Sequence, residues 1–186
     1  MLRDALIATI LEKGYDATNI QEITERAGLR RATFYLHYRD KEELLLTMLH
    51  ETLEELIQQM NPQHGATLSE ESERAEEVIT FTFIQKHADL YRAILRGQGA
   101  SEITRSIRDY LAVRIAEMCT DIQRDNLPIP IEVLANYLAA VKLNMVIWWL
   151  DKGMPYTPQQ MADMVTRLVL NGTEGIFSEA ATAESR

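Results

Sequence analysis

Residues Ile20-Gln21-Glu22-Ile23-Thr24-Glu25-Arg26-Ala27-Gly28-Leu29-Arg30-Arg31-Ala32-Thr33-Phe34-Tyr35 decide the reading of this chain. They divide into two short helical stretches that meet at a glycine, the layout of a helix-turn-helix. Ala27 is small where the helices cross, Gly28 permits the turn, and Leu29 plugs the junction. Successive helical residues rotate by about 100°, which sorts the second stretch, Arg31 to Tyr38, into faces. Phe34 and Tyr38, four apart, share the side expected to pack inward. Opposite them stand Ala32 and Leu36, flanked by Thr33 and Tyr35. Two outward apolar residues are odd in water, but they suit a DNA major groove, where thymine methyls offer apolar contact. Arg30 and Arg31 lead the helix, where base edges or phosphates are reached first. Lys41 opens the next helix, and its charge joins that helix's free amides to hold a phosphate.

Outward from this stretch, almost every segment has helical period, and none shows the sustained alternation of a strand. A first helix is predicted over Arg3 to Lys13, closed by Gly14, with Leu6, Ile7, Ile10 and Leu11 on one face. Thr18 or Asn19 can cap the second helix. Asp40 is placed to cap a long fourth helix from Lys41 to Met60. After the breaker-rich Asn61-Pro62-Gln63-His64-Gly65, Thr67 is placed to cap a fifth helix. A sixth opens at Asp89 and ends at Gly97-Gln98-Gly99, and Ser101 is placed to cap a seventh. Leu127-Pro128-Ile129-Pro130 precedes an eighth, Ile131 to Asp151. Thr157 and Pro158 open a ninth, ending near Asn171-Gly172. The expectation is an all-α chain of about nine helices: a three-helix head over 1–46, a helical body over 47–177, and a disordered polar tail over 178–186.

With 186 residues, 46% hydrophobic and 25% charged, the chain can bury a real core. No apolar run approaches the ~18–20 residues of a membrane span, and Met1-Leu2-Arg3-Asp4 lacks the layout of a secretory signal. Cys119 is the one cysteine, so no internal disulfide can form. The cytosol is the expected location, with no membrane partner. The net charge of −9 argues at first against a nucleic-acid partner. Its distribution reverses that: between Arg26 and Lys41 five bases face one acid, Asp40. Phosphate attraction is short-ranged in salt, so the local patch outweighs the total.

No catalytic arrangement stands out. His37, His50, His64 and His87 show no metal-ligand spacing, and Cys119 has no activating partner. Neither an enzyme, a metal site nor a cofactor is expected. Glu54-Glu55, Glu70-Glu71 and Glu76-Glu77 read as solvated helix faces. Taken alone, the pattern also fits a helical small-molecule binder, or an interaction module built on the Leu-rich fourth helix.

One longer pattern narrows the choice. The run Gly14-Tyr15-x-x-Thr18-Asn19-Ile20-x-x-Ile23-x-x-x-Ala27-Gly28-Leu29-x-x-x-Thr33-Phe34-Tyr35-x-His37-Tyr38-x-x-Lys41-x-x-Leu44 closely resembles the DNA-binding head of TetR-family (tetracycline-repressor-like) regulators. The resemblance is strong over residues 1–50; beyond them only helix count and lengths fit. It implies Thr33, Tyr35 and Lys41 as phosphate contacts, His37 as a base or phosphate contact, and Gln21 as touching DNA. The chain departs from the usual pattern at Arg30, where Ser is common, at Ala32, where Gly is common, and at Thr24, where Ala is common. The first helix starts almost at Met1 with no basic arm, so specificity is expected to rest on the recognition helix.

The eighth helix is apolar nearly all round and must be covered on more than one side. The resemblance implies that helices eight and nine pair with their copies in a four-helix dimer seam, with Trp149, Met161, Val165 and Leu168 expected there. The remaining body resembles the family's variable ligand-binding domain, and Phe81, Phe83, Tyr91, Tyr110, Met118, Met145 and Trp148 are its candidate lining. The implied function is a homodimeric repressor on a palindromic double-stranded DNA operator, released by a small hydrophobic or aromatic effector.

Overall fold

The computed structural model describes residues 1–60, 70–118 and 129–184, with side chains through Gly172. The Asn61–Gly65 breaker, the Thr67 cap, Cys119, the Leu127-Pro128 half of the second breaker and the last two tail residues lie outside the described residues. Within them there are nine helices and no strand: α1 (Leu2–Lys13), α2 (Ile20–Arg26), α3 (Arg31–Tyr35), α4 (Lys41–Gln59), α5 (Glu70–Lys86), α6 (Ala88–Leu95), α7 (Ala100–Met118), α8 (Ile131–Asp151) and α9 (Pro158–Glu184).

Caps explain most of the boundaries. Asn19 Oδ1 accepts the Glu22 amide at 3.0 Å, whereas the buried Thr18 donates its hydroxyl to the Gly14 carbonyl. Gly28 takes φ +67°, a left-handed conformation open mainly to glycine, and ends α2. Asp40 accepts the Glu43 amide at 2.8 Å, while Glu43 reaches back to the Arg39 amide at 2.6 Å. Thr157 and Gln160 exchange side-chain and amide hydrogen bonds at the head of α9. Several boundaries differ from expectation; α6, for one, opens at Ala88, a residue before Asp89. Helix α3 stops at Tyr35, and its turn persists through His37 and Tyr38 amides bonded to the Phe34 carbonyl. Ser101 lies inside α7, because the Gly99 carbonyl already accepts the Glu102 and Ile103 amides. Helix α9 breaks at Gly172 (φ 60°, ψ −171°) and runs on to Glu184, beyond the end expected near Asn171-Gly172.

Two compact units emerge. The first comprises Met1–Glu55 and His87–Tyr110, the second Leu56–Lys86 and Leu111–Arg186. Thus the first unit includes α6 and the start of α7 as well as the head. Its core is Leu6, Ile10, Ile23, Phe34, Leu45, Ile94 and Ile103, with Tyr15 and Leu49 around them. In the second unit α5 packs along α9. Phe81 meets Trp149 edge-on at 5.2 Å, with Met161 and Val165 completing the cluster. An aromatic edge contact adds about 0.5–1.5 kcal/mol to simple burial. A smaller cluster joins Ala112 of α7 to Ala135 and Ala139 of α8.

Helix α8 corrects one expectation. At 21 residues and mean hydropathy 1.4 it is long and apolar enough to cross a membrane. Runs interrupted by a single charge escaped the sequence reading. Between Val133 and Leu150 that charge is Lys142, which is ion-paired inside the second unit.

Candidate nucleic-acid interface

Phe34 anchors the recognition helix. It is fully buried, with Tyr35 edge-on at 5.6 Å and Tyr38 tilted against it at 5.7 Å. One rotation away, the outward face appears where the 100° step put it. Arg30, Arg31, Ala32, Tyr35, Leu36 and His37 are exposed, and Thr33 is half-buried. Leu36 is 80% exposed and Tyr35 48%. Full burial of a leucine is worth roughly 1.5–3 kcal/mol, a gain left open until another surface covers it.

Two of these side chains are already organised. Arg31 Nη2 donates to the Tyr35 hydroxyl at 3.2 Å, and its guanidinium lies 5.7 Å from the Tyr35 ring centre. The planar cation is held along the helix flank one turn before Leu36. Gln21 is exposed on α2, with its amide donating to Glu25 at 2.9 Å. The α1–α2 groove beside it, about 320 Å³, is walled by the ion pairs Lys13–Glu22 and Arg26–Glu12.

Lys41 is placed differently from a free phosphate grip. Its Nζ donates to the carbonyls of Tyr15 (2.9 Å), Asp16 (3.2 Å) and Thr18 (2.8 Å) and sits 4.6 Å over the Tyr15 ring. An ammonium has three N–H donors, and these contacts occupy all of them. Burial holds its pKa below the ordinary lysine value, with Asp16 opposing and Lys13 adding to the shift.

The expected ligand-lining residues do not gather in one unit. Tyr91 and Tyr110 belong to the first unit: burial pushes the Tyr91 hydroxyl up to about 12, and Tyr110 stacks on His50 at 4.2 Å while donating to Glu54. Phe81 and Met145 share the core cluster of the second unit. Phe83 is half-buried there, and Met118 is exposed at the end of α7. The two tryptophans differ in burial. Trp149 is fully buried, its indole N–H donating to the Tyr156 carbonyl at 2.9 Å, and Trp148 is 40% exposed, stacked on Tyr156. Met161 and Val165 are likewise closed inside the core, and Leu168 is half-buried. Side chains sealed within the protomer cannot meet a partner. Among the exposed residues of α8, Val133 (56%), Tyr137 (53%), Asn144 and Trp148 are spaced 4, 7 and 4 apart along one helical face, with Met164 exposed on α9.

One cluster went unread in the sequence. Lys142 Nζ lies 2.5 Å from Glu73 Oε1 and 2.6 Å from Glu77 Oε1, both carboxylates being buried. The Glu76-Glu77 pair is therefore not a solvated face, and Glu54, bonded to Tyr110, is half-buried too. The missed signal was spacing: Glu73, Glu77, Phe81 and Ile84 fall on one stripe of α5.

Comparison with known proteins decides the family. The family described as bacterial regulatory proteins, tetR family, matches residues 2–48, and a transcriptional regulator C-terminal region of the same class matches residues 77–171. The chain belongs to the TetR family of transcriptional regulators. TetR-family proteins regulate transcription and are not enzymes. An uncharacterized HTH-type transcriptional regulator of Bacillus subtilis is 25% identical over 162 residues, 87% of this chain. The chain spans about two fifths of that relative's length, 41%. A TetR-family regulator from Syntrophomonas wolfei superposes with a TM-score of 0.70 at 18% identity, covering 90% of each chain. The regulator FadR from Bacillus subtilis, solved with stearoyl-CoA, superposes at 0.63 and 20% identity, covering 92% of this chain and 97% of its own. At such identities these likenesses concern the fold.

Proposed function

We propose that this TetR-family chain is an effector-responsive repressor acting in the cytoplasm as a homodimer on a palindromic operator. The observation that carries the reading is the outward face of α3. Ala32, Tyr35 and Leu36 lie uncovered between Arg30, Arg31 and His37 on a helix whose opposite side is locked into the core by Phe34. Such a surface finds its complement in a major groove, with cations for phosphates or guanines and apolar atoms for thymine methyls.

The head over 1–46 supplies the contacts: Arg30 and Arg31 at the leading end, Ala32 and Leu36 on bases, Thr33, Tyr35 and His37 on the backbone or base edges, and Gln21 from α2. Lys41 contributes charge at the start of α4 while its donors hold the α1–α2 turn. Two heads about 34–36 Å apart would enter successive major grooves. The partner copy is placed against the α8 stripe of Val133, Tyr137 and Trp148 with Met164, an exposed apolar row that a second copy would cover.

The body over 47–177 takes the effector. A long-chain acyl thioester is the first class to test, because the similarly folded Bacillus subtilis FadR was solved with stearoyl-CoA. To release DNA, the effector must bind the two arrangements of the dimer unequally; a coupling of ~1–3 kcal/mol is typical. The test is selection of duplexes from random sequence, followed by titration of the winner with and without stearoyl-CoA across a salt series. The expected result is a palindrome bound with steep salt dependence and weakened at least fivefold by the ligand. Absence of any preferred duplex overturns the regulator reading; an unchanged affinity with stearoyl-CoA overturns only the effector class.

A further inference from the structure

Two cations stand two positions apart at the start of α4, in opposite surroundings. Lys41 is closed in. Its Nζ donates to the carbonyls of Tyr15, Asp16 and Thr18 and lies over the Tyr15 ring. Burial pushes the Tyr15 hydroxyl up to about 12, and the carboxylates of Glu42, Asp40 and Asp16 add to the push. Those three acids therefore lie near the ring that Lys41 covers, and they offset much of its charge locally.

Arg39 is open, with its side chain 85% exposed. One carboxylate oxygen, Glu43 Oε2, accepts both the Arg39 backbone amide at 2.6 Å and its Nε at 3.1 Å. The backbone bond fixes where the side chain leaves the main chain, and the Nε bond orients the guanidinium plane. Among the described residues no hydrogen bond takes up the Nη groups. Asp40, next in sequence, turns its Oδ1 to the Glu43 amide at 2.8 Å. A planar guanidinium with its Nη edge free matches the paired oxygens of a phosphate.

We propose that Arg39, and not Lys41, makes the phosphate contact at this end of the head, with Glu43 positioning it. The proposal rests on the DNA-binding reading above and adds a contact to it. To reach a phosphate, Lys41 would have to give up its carbonyls and open the α1–α2 turn. Arg39 keeps Nε on Glu43 and gains a partner. Solvent screens the exposed pair with Glu43, so the guanidinium keeps most of its attraction for a second anion. Lys41 then serves the head by holding the turn against α4.

The salt dependence of DNA binding tests this exchange of roles, because each phosphate neutralised by a side chain adds about 0.9 to the slope of log K against log salt. Wild type, Arg39→Ala, Arg39→Lys and Lys41→Met are titrated against the duplex that the wild type selects and against an unrelated one, across a salt series. Circular dichroism follows folding. Arg39→Ala is expected to lower the slope by about one per head and to weaken both duplexes alike, by at least about fivefold, at unchanged thermal stability. Arg39→Lys keeps the charge but not the paired edge, so its slope should hold while its affinity falls between the two. Lys41→Met should lower thermal stability and move the slope less than half as far as Arg39→Ala. A slope for Arg39→Ala within about 0.3 per head of wild type, or one that Lys41→Met matches, overturns the assignment. If Lys41→Met does not fold, the Arg39 variants decide by the same limit. A wild type that selects no duplex fails the DNA-binding reading itself, and the assignment falls with it.

Discussion

The two units break the inside–outside rule in opposite directions. The first places apolar side chains outside: Leu36, Tyr35 and Ala32 on the recognition helix. The second places charges inside: Glu73, Glu77 and Lys142 between α5 and α8. An exposed leucine forgoes a favourable burial, whereas an enclosed charge incurs a desolvation cost that only good partners offset. The first exception therefore costs the isolated protein little and points to a surface outside it. The second stakes the unit's own stability on one cation.

That asymmetry fixes the largest expected effect. Lys142→Met leaves two buried carboxylates without a counter-charge, and breaking a buried pair in this way costs about 3–5 kcal/mol. Urea unfolding at pH 7 should show the loss, and an unfolding free energy within about 1 kcal/mol of wild type would mean the cluster is not held as ions. Replacing Glu73 and Glu77 by leucine in the same variant should recover much of it. Burial pushes the Glu77 carboxyl up, with Lys142 opposing and Glu73 adding. Folding thus favours its neutral form, and the penalty on its charge is relieved as pH falls through the folded-state value. Without Lys142 the opposing influence is gone, so the variant's deficit should shrink between pH 7 and pH 5. At the other extreme, burial works against the Lys142 ammonium, but the two glutamates together raise its pKa. Its contribution is complete below the ordinary lysine value and is lost in strong base.

The next effect separates the two tryptophans. Trp148→Glu should weaken the proposed dimer by more than about thirtyfold, the equivalent of an interface hot spot near 2 kcal/mol, with the folded protomer intact. Light scattering at fixed concentration would then report half the mass. Trp149→Ala should do the reverse: a large loss of stability, since its ring fills the contact with Phe81 and its N–H is bonded to Tyr156. A monomeric wild type would refute the seam outright.

This pair also shows where sequence reasoning stops. The head was legible because its signals are local: the Asn19 and Asp40 caps, the Gly28 turn, and a helix whose polar and apolar sides differ. On α8 both sides are apolar, so a 100° step separates Trp148 from Trp149 without saying which one meets α5. The answer comes from Phe81, nearly seventy positions earlier. The surroundings of Lys41 were hidden for a related reason. Its charge and its place at a helix start are visible in sequence, but the three carbonyls that occupy it become available only once the α1–α2 turn closes. The Glu73–Glu77 stripe was hidden among seven glutamates between 54 and 77, of which Glu55, Glu70 and Glu71 are exposed.

Smaller effects return to the first unit. Leu36→Ala removes an exposed side chain, so stability should stay within about 0.5 kcal/mol of wild type. Operator affinity should nevertheless fall about tenfold, and only for duplexes carrying thymine at the matching step, where the lost contact is worth roughly 1–3 kcal/mol. An equal loss on all sequences would move Leu36 from the bases to a general packing role.

The smallest effect probes how far the outward face is organised before DNA arrives. Tyr35→Phe keeps the ring beneath Arg31 but deletes the hydroxyl that accepts from Nη2 at 3.2 Å. A solvent-exposed hydrogen bond of this kind contributes about 0.5–1.5 kcal/mol at most, so a two- to fivefold weakening of operator binding is expected. The salt dependence distinguishes two origins. A tyrosine hydroxyl carries no charge, so losing its own phosphate contact releases no counterion and leaves the slope of log K against log salt unchanged. If the hydroxyl acts by aiming Arg31 at a phosphate, the freed guanidinium makes that contact less often and the slope falls toward the Arg31→Ala value, lower by about one. If Arg31 reads a guanine instead, the slope holds while sequence preference relaxes in both variants alike. In either of the last two cases the Arg31→Ala/Tyr35→Phe double variant should bind no worse than Arg31→Ala alone, because a residue that only positions another has nothing left to position.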